Sequence, residues 1–190
     1  MNRRKFITST IAVTASLGLG STMFSVFAEP TFKKTKTALS VEQEWRELLP
    51  KGYSGSLVLT PIKLSEQEWQ QRLSSAAFKV LRDEQTERPG SSALNQQHDK
   101  GIYACEGCDL PLFTSEMKFE SGTGWPSFIT HIPGHLETKT DYKMIWPRTE
   151  YHCVRCGGHQ GHVFDDGPKP TGKRWCNNGV ALKFIAMNPS

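Results

Sequence analysis

The chain has 190 residues, 37% hydrophobic and 22% charged, which suits one compact domain with a targeting segment and a linker and leaves no room for a second sizeable core. Arg3, Arg4 and Lys5 supply three of the +4 formal charges, and no acid balances them in the first 28 residues, so the remainder carries 4 − 3 = +1. A charge that near zero gives no global field to gather nucleic acid or anionic lipid, and the basic balance is no partner signal.

Residues 1–28 have the layout of an export signal. Asn2-Arg3-Arg4-Lys5-Phe6-Ile7 is a twin-arginine start, a mild apolar stretch runs to Phe27, and Val26-Phe27-Ala28 offers a cleavage site before Glu29. The competing reading is a membrane-spanning helix. Ten of the 22 positions from Phe6 to Phe27 are Ser, Thr or Gly, which weakens a lipid-facing span, so membrane contact is expected only if the signal stays uncleaved. A twin-arginine signal resembles those of the bacterial route that exports folded proteins, and it implies a periplasmic location. Residues 29–40, rich in Lys and Thr, read as a solvated linker, and 41–187 as the functional domain.

Ser40 with Gln43, followed by Trp45, Leu48 and Leu49, predicts a short capped helix. Ser65 and Glu68 form a capping-box pattern, and Trp69, Leu73, Ala76, Ala77, Val80 and Leu81 then recur at helical spacing, predicting one amphipathic helix to about Arg82. After a polar connector, 83–100, short apolar runs alternate with Gly, Pro and Asp. They predict strands at 101–105, 126–130, 136–145, 151–154, 162–165 and 180–186. The expected fold class is α+β, mainly β, with short N-terminal helices and antiparallel sheets.

Cys105-Glu-Gly-Cys108 and Cys153-Val-Arg-Cys156-Gly-Gly are two C-x-x-C pairs whose turn-forming neighbours let both sulfurs face one ion. Four thiolates suit one tetrahedral Zn²⁺ per chain, with iron as the other metal the ligand set allows. The 44 residues between the pairs exceed the gap of a compact zinc ribbon, so the ion would join two distant hairpins in a structural role. Redox dithiols are the rival reading of either pair.

Cys176 is the fifth cysteine, in Lys173-Arg174-Trp175-Cys176-Asn177-Asn178. A lone thiol near a cation is a candidate nucleophile, although a single cysteine near a strand is more often a small buried hydrophobe. His159-Gln-Gly-His162-Val-Phe-Asp-Asp166 could supply an acid or base to the same cleft. His98, His131, His135 and His152 read as surface or hydrogen-bonded residues, and Trp45, Trp69, Trp146 and Trp175 as core packing.

Cys105-x-x-Cys108, Ser121-Gly-Thr-Gly-Trp-Pro-Ser-Phe128, Cys153-x-x-Cys156-Gly, Gly161-His-Val-Phe164 and Arg174-Trp-Cys-Asn-Asn178 occur in the order that they have in the peptide methionine-R-sulfoxide reductase B family, which this chain resembles over about residues 40–187. The resemblance implies a zinc-bound, Mss4-like (β-tent) fold and reduction of the R epimer of methionine sulfoxide in peptides and proteins. It implies Cys176 as nucleophile, assisted by His162, His159 and Asn178, and substrate contacts at Trp125, Arg174, Asp166 and Phe184. A thioredoxin-like reductant and a monomer are expected, with no nucleic-acid partner. Many members carry a resolving cysteine where this chain has Thr123, so the oxidised thiol would be rescued by an external donor. The competing classes are a non-catalytic zinc-bound binding module of the same fold and a nucleic-acid-binding zinc ribbon; a dispensable Cys176 would mark the first, salt-dependent DNA binding the second.

Overall fold

A computed structural model describes residues 37–187 except 56 and 143–145; the expected signal and most of the expected linker lie outside the described residues. Among the described residues no helix is long and apolar enough to cross a membrane.

The first helix, α1, spans Ala38–Gln43, and Thr37 caps it by accepting from the Ser40 amide. Ser40 therefore lies inside the helix instead of starting it, and helical structure begins within the segment expected as linker. A 3₁₀ turn, Trp45–Leu48, follows and buries Trp45 and Leu48. The predicted long helix is two. Helix α2, Glu66–Arg72, carries the full Ser65/Glu68 capping box, and α3, Ser75–Leu81, starts from a second cap at Ser74. The break has a local cause: the Ser74 hydroxyl accepts from the Ala77 amide and competes with helix continuation, leaving Leu73 extended. Most of the predicted stripe is still buried, with Trp69, Leu73, Ala77, Val80 and Leu81 all in the core, but Ala76 is exposed.

Among the described residues nine strands follow, all paired antiparallel. Strands β1 (Gly101–Cys105), β2 (Pro111–Thr114) and β9 (Leu182–Ala186) form a three-stranded sheet in the order β2-β1-β9. Strands β3 (Lys118–Phe119), β4 (Ser127–Phe128), β5 (Leu136–Asp141), β6 (Arg148–Cys153), β7 (His159–Phe164) and β8 (Arg174–Asn177) form a second sheet in the order β3-β4-β8-β7-β6-β5. The chain is thus mainly β with a few short helices, as expected, while β2, β3 and β8 are strands that apolar runs alone do not reveal.

Aromatic rings join the sheets. Phe113 stacks on Phe128 at 4.0 Å, and Tyr103 meets Phe128 edge-on at 5.0 Å and Phe184 at 5.1 Å. Tyr151 adds edge contacts to Phe113 and Trp175. Each such ring, buried, contributes on the order of 1.5–3 kcal/mol of apolar transfer energy. Trp45 and Trp69 are core residues and Trp175 packs on the core, but Trp146 is 79% exposed and does not join them. It sits on the β5–β6 connection, beyond the reach of either sheet's inner face.

Candidate functional site

Cys176 sits in the middle of the larger sheet. Strand register places it directly opposite His162 of β7 on one side and Ser127 of β4 on the other. Directly opposed residues of an antiparallel pair share a face with Cβ atoms about 4.5–5.5 Å apart, so thiol and imidazole are neighbours by backbone geometry alone. Gly161 makes this pairing possible, since a Cβ there would lie 1.9 Å from the Cys176 carbonyl oxygen.

A register shift between β6 and β7 leaves Gln160 unpaired as a bulge. Residues three apart on a regular strand face opposite sides, but the bulge lets the His159 and His162 rings approach to 5.4 Å. Each ring is held by a buried carboxylate: His162 Nε2 lies 2.9 Å from Asp141 Oδ2, and His159 Nδ1 lies 2.8 Å from Glu150 Oε1. Arg148 donates to the same Asp141 oxygen at 2.7 Å, and Lys139 lies 3.4 Å from Glu150. Burial lowers the His159 pKa, with Glu150 opposing, so the neutral ring donates Nδ1–H to Glu150 and keeps Nε2 unprotonated. The pairing with Asp141 occupies Nε2 of His162 and leaves Nδ1 outside that bond.

Trp125, His162, Phe164, Cys176 and Asn178 line an open cleft of about 130 Å³ together with Thr86, Arg148, Gly161 and Asn177. That is below the usual range of ligand pockets, roughly 300–1,000 Å³, and suits one side chain more than a folded peptide. The rings of Trp125 and Phe164 form its apolar side, and His162, Arg148 and Asn178 bring polar groups to it.

The connector 83–100 braces this wall. Glu87 accepts from the Gly179 and Val180 amides at 2.6 and 3.0 Å, occupying donors that a helix start leaves open. Its own amide donates to Asn178 Oδ1, and its carbonyl accepts from Trp125 Nε1. Asn178 donates its other end to the Gln160 carbonyl at 2.9 Å, so both ends of its side chain are occupied in holding the wall.

The structure separates the remaining sequence-predicted residues. His159 is buried behind His162 and does not line the cleft. Asp166 and Arg174 form a two-bond ion pair at 2.8 and 2.9 Å, and the Arg174 guanidinium lies 4.3 Å over the Phe164 ring. Neither lines the cleft. Phe184 lies apart from this cleft, in β9 of the smaller sheet against Tyr103, and the phenylalanine that lines the cleft is Phe164. Its strand pairs with β1, whose register puts Phe184 opposite Tyr103 and away from β7 and β8. Asp141, Glu150, Glu87 and Arg148 were missed, because an acid or a cation at a strand end or in a polar connector looks like ordinary surface in sequence.

Burial pushes the Cys176 thiol up from its ordinary value, while Arg174 and the Thr123 hydroxyl oppose this and Asp166 adds to it. Cation removal therefore destabilises thiolate further. Arg174→Met is expected to shift the pH profile of Cys176 alkylation to higher pH and slow alkylation several-fold at neutral pH, read by iodoacetamide kinetics. An unshifted profile would show that Arg174 does not support the thiolate.

The other four cysteines converge elsewhere, in the core. Cys105 and Cys108 flank the β1–β2 turn, and Cys153 and Cys156 the β6–β7 turn, where Gly157 takes φ +67°. Cys105 Sγ lies 3.6 Å from Cys156 Sγ and Cys108 Sγ 3.5 Å from Cys153 Sγ, with all four ligand atoms within 4.8 Å. These are not disulfides, whose sulfurs lie about 2.05 Å apart. A tetrahedral ion with metal–sulfur bonds of about 2.3 Å needs sulfur–sulfur edges of about 3.8 Å, so the set fits a metal ion.

Comparison with known proteins agrees with this geometry. Residues 73–186 match the SelR domain model. A peptide methionine sulfoxide reductase MsrB of Methanosarcina barkeri is 48% identical over 124 residues, covering 65% of this chain and 87% of the relative. The mitochondrial methionine-R-sulfoxide reductase B2 of Rattus norvegicus is 44% identical over 147 residues, 73% of this chain and 84% of the relative. The chloroplastic peptide methionine sulfoxide reductase B1 of Arabidopsis thaliana is 47% identical over 125 residues, 65% and 62% of the two chains. With a family match over most of the chain and relatives of this identity, the chain belongs to the SelR domain family.

Proposed function

We propose that this protein reduces the R epimer of methionine sulfoxide in peptides and proteins to methionine. The observation that carries the reading is the cross-strand pairing of Cys176 with His162 at the floor of a small cleft walled by Trp125 and Phe164. A sulfoxide has a polarised sulfur–oxygen bond and a poor leaving oxygen, so it needs a soft nucleophile at sulfur and a proton at oxygen. The Cys176 thiolate attacks the sulfoxide sulfur, and His162, charged and held through Nε2 by Asp141, delivers a proton to the oxygen. The oxygen then passes to Cys176 as its sulfenic acid and methionine departs. The methionine sulfur gains two electrons and the cysteine sulfur loses two. Trp125 and Phe164 receive the apolar methyl and thioether. The test is an epimer-resolved turnover assay on peptidyl methionine sulfoxide with a chemical dithiol. Turnover of the S epimer alone, or of neither, would end this reading. His162→Ala should slow single-turnover reduction by about a hundredfold, within the usual range for an acid catalyst; an unchanged rate would remove His162 from the chemistry.

Regeneration follows from Thr123, whose hydroxyl reaches the Cys176 thiol and bonds Ser121 at 2.9 Å. With no thiol there and the other cysteines facing one another, two external thiol equivalents reduce the sulfenic acid to Cys176, water and a disulfide of the donor, a thioredoxin-like protein in this reading. Thr123→Cys should convert one equivalent of turnover into an intramolecular disulfide, detectable by mass spectrometry of the non-reduced protein. Persistence of trappable sulfenic acid in that variant would show that the two positions do not approach closely enough.

The proposal extends to the metal and to location. The thiolates of Cys105, Cys108, Cys153 and Cys156 hold one structural Zn²⁺ in an Mss4-like fold, where a closed four-sulfur shell supplies folding energy and no open coordination position. The Arg3-Arg4-Lys5 start and the apolar stretch to Phe27 support export of a monomer to the periplasm, with membrane contact only through an uncleaved signal. Recovery of the chain solely from the cytoplasmic fraction would refute that placement.

A further inference from the structure

Gln160 is a fully buried amide in a position where a bulge leaves it outside the regular ladder. Its Nε2 donates to Cys105 Sγ at 3.4 Å, and its Oε1 accepts from Asn177 Nδ2 at 3.3 Å. Asn177 Oδ1 in turn accepts from the Tyr151 hydroxyl at 2.8 Å. Cys105, Gln160, Asn177 and Tyr151 are each 0% exposed, so no solvent interrupts the run. The Gln160 backbone carbonyl also accepts from both the amide and Nδ2 of Asn178, each at 2.9 Å. One residue thus touches a sulfur of the candidate metal site and holds the two residues that follow Cys176.

The run has a sense. Every donor points toward Cys105: the tyrosine hydroxyl to Asn177, the Asn177 amide to Gln160, and the Gln160 amide to sulfur. Reversing the Gln160 amide would set its oxygen against an electron-rich sulfur and its NH₂ against the Asn177 NH₂, so the orientations are fixed together. A negative thiolate at one end polarises each successive bond, and in a low-dielectric interior such bonds strengthen one another. The four-sulfur set fits a metal ion, and binding it requires the sulfurs as thiolates.

We infer that Gln160 is a positioning residue through which the charge and geometry of the metal site are transmitted to the strand end that carries Cys176. The inference rests on the proposed reductase chemistry only in taking Cys176 as the reactive thiol, and its readout does not depend on sulfoxide turnover. Loss of the N–H···S bond leaves the Cys105 thiolate more electron-rich, and the run loses its anchor while the four metal ligands remain.

The test uses the cobalt-substituted protein, whose sulfur-to-cobalt charge-transfer band reports electron density on the ligand sulfurs. Gln160→Met, similar in size but without the amide, should bind one cobalt per chain and shift the band to longer wavelength. Tyr151→Phe, at the far end, should shift it in the same direction by less, and should have no effect in the Gln160→Met background. Alkylation of Cys176 with iodoacetamide should move the band in the wild-type protein and not in Gln160→Met. An unshifted band in Gln160→Met, or equal effects of Tyr151→Phe in both backgrounds, would overturn the inference. If Gln160→Met does not load metal, Tyr151→Phe and Cys176 alkylation in the wild-type background decide it: a moved band supports the relay and an unmoved one overturns it. Failure of the reductase reading is distinguishable, because it would remove turnover and leave these spectral couplings in place.

Discussion

Cys176→Ser is expected to abolish sulfoxide reduction, to below detection in a dithiol-supported assay, while fold and metal content stay as they were. The hydroxyl is harder, far less acidic and a much poorer nucleophile at sulfur than the thiolate, and no second thiol is placed to substitute for it. The other four cysteines face one another in the core, and the strand carrying residue 176 pairs on both sides through backbone bonds that the substitution leaves intact. Residue 176 is only partly buried, and exchanging sulfur for oxygen is nearly isosteric, so the change in stability should fall within about 1 kcal/mol. Thermal melting and metal analysis check the second half of the statement. Retained turnover in this variant would favour a non-catalytic role for the whole cleft.

Cys153→Ser is expected to act in the opposite manner, removing the fold and not the chemistry alone. Structural zinc in a thiolate site contributes an apparent binding free energy of about 10–16 kcal/mol, comparable to or larger than the net stability of an ordinary domain, about 5–15 kcal/mol. Cys153 ends β6 and closes the turn into β7, and its sulfur faces Cys108 from the other sheet. Loss of one ligand therefore weakens the join between sheets as well as leaving a buried hydroxyl among thiolates. Circular dichroism with zinc quantification reads the outcome. A folded, metal-free variant with native thermal stability would sink the structural-metal reading.

Much of the candidate site was legible because its chemistry depends on residue type and order. The two C-x-x-C pairs state four thiolates, and turn residues beside them state that each pair shares one loop, so the cluster follows almost from spacing. The proximity of His162 to Cys176 did not follow. It comes from the pairing of β7 with β8, and β8 reads poorly as a strand because Arg174-Trp-Cys-Asn177 lacks β-branched residues. The helix break at Ser74 was written in the sequence but outweighed by an unbroken apolar stripe, since burial constrains spacing without constraining continuity. Phe184 and Phe164 show the limit of motif reading: both lie in segments that read as strands, and only sheet membership separates them. Glu87 was invisible for a different reason. Its role lies in accepting from two backbone amides some ninety residues away, and a backbone partner leaves no residue-type signal.

The burial of the two sulfur populations has a consequence for survival under the oxidants that create this enzyme's proposed substrate. Cys105 and Cys153 are 0% exposed, Cys108 2% and Cys156 5%, behind helix α3 and the aromatic layer, whereas Cys176 opens onto the cleft. Peroxide reaches a thiol by diffusion through solvent, so exposure ranks the order of attack. Cys176 is consumed first, and its first oxidation product is the same sulfenic acid that turnover makes in the proposed cycle. In that cycle damage from the medium enters as an intermediate and would be cleared by the same reductant, before the four buried sulfurs are touched.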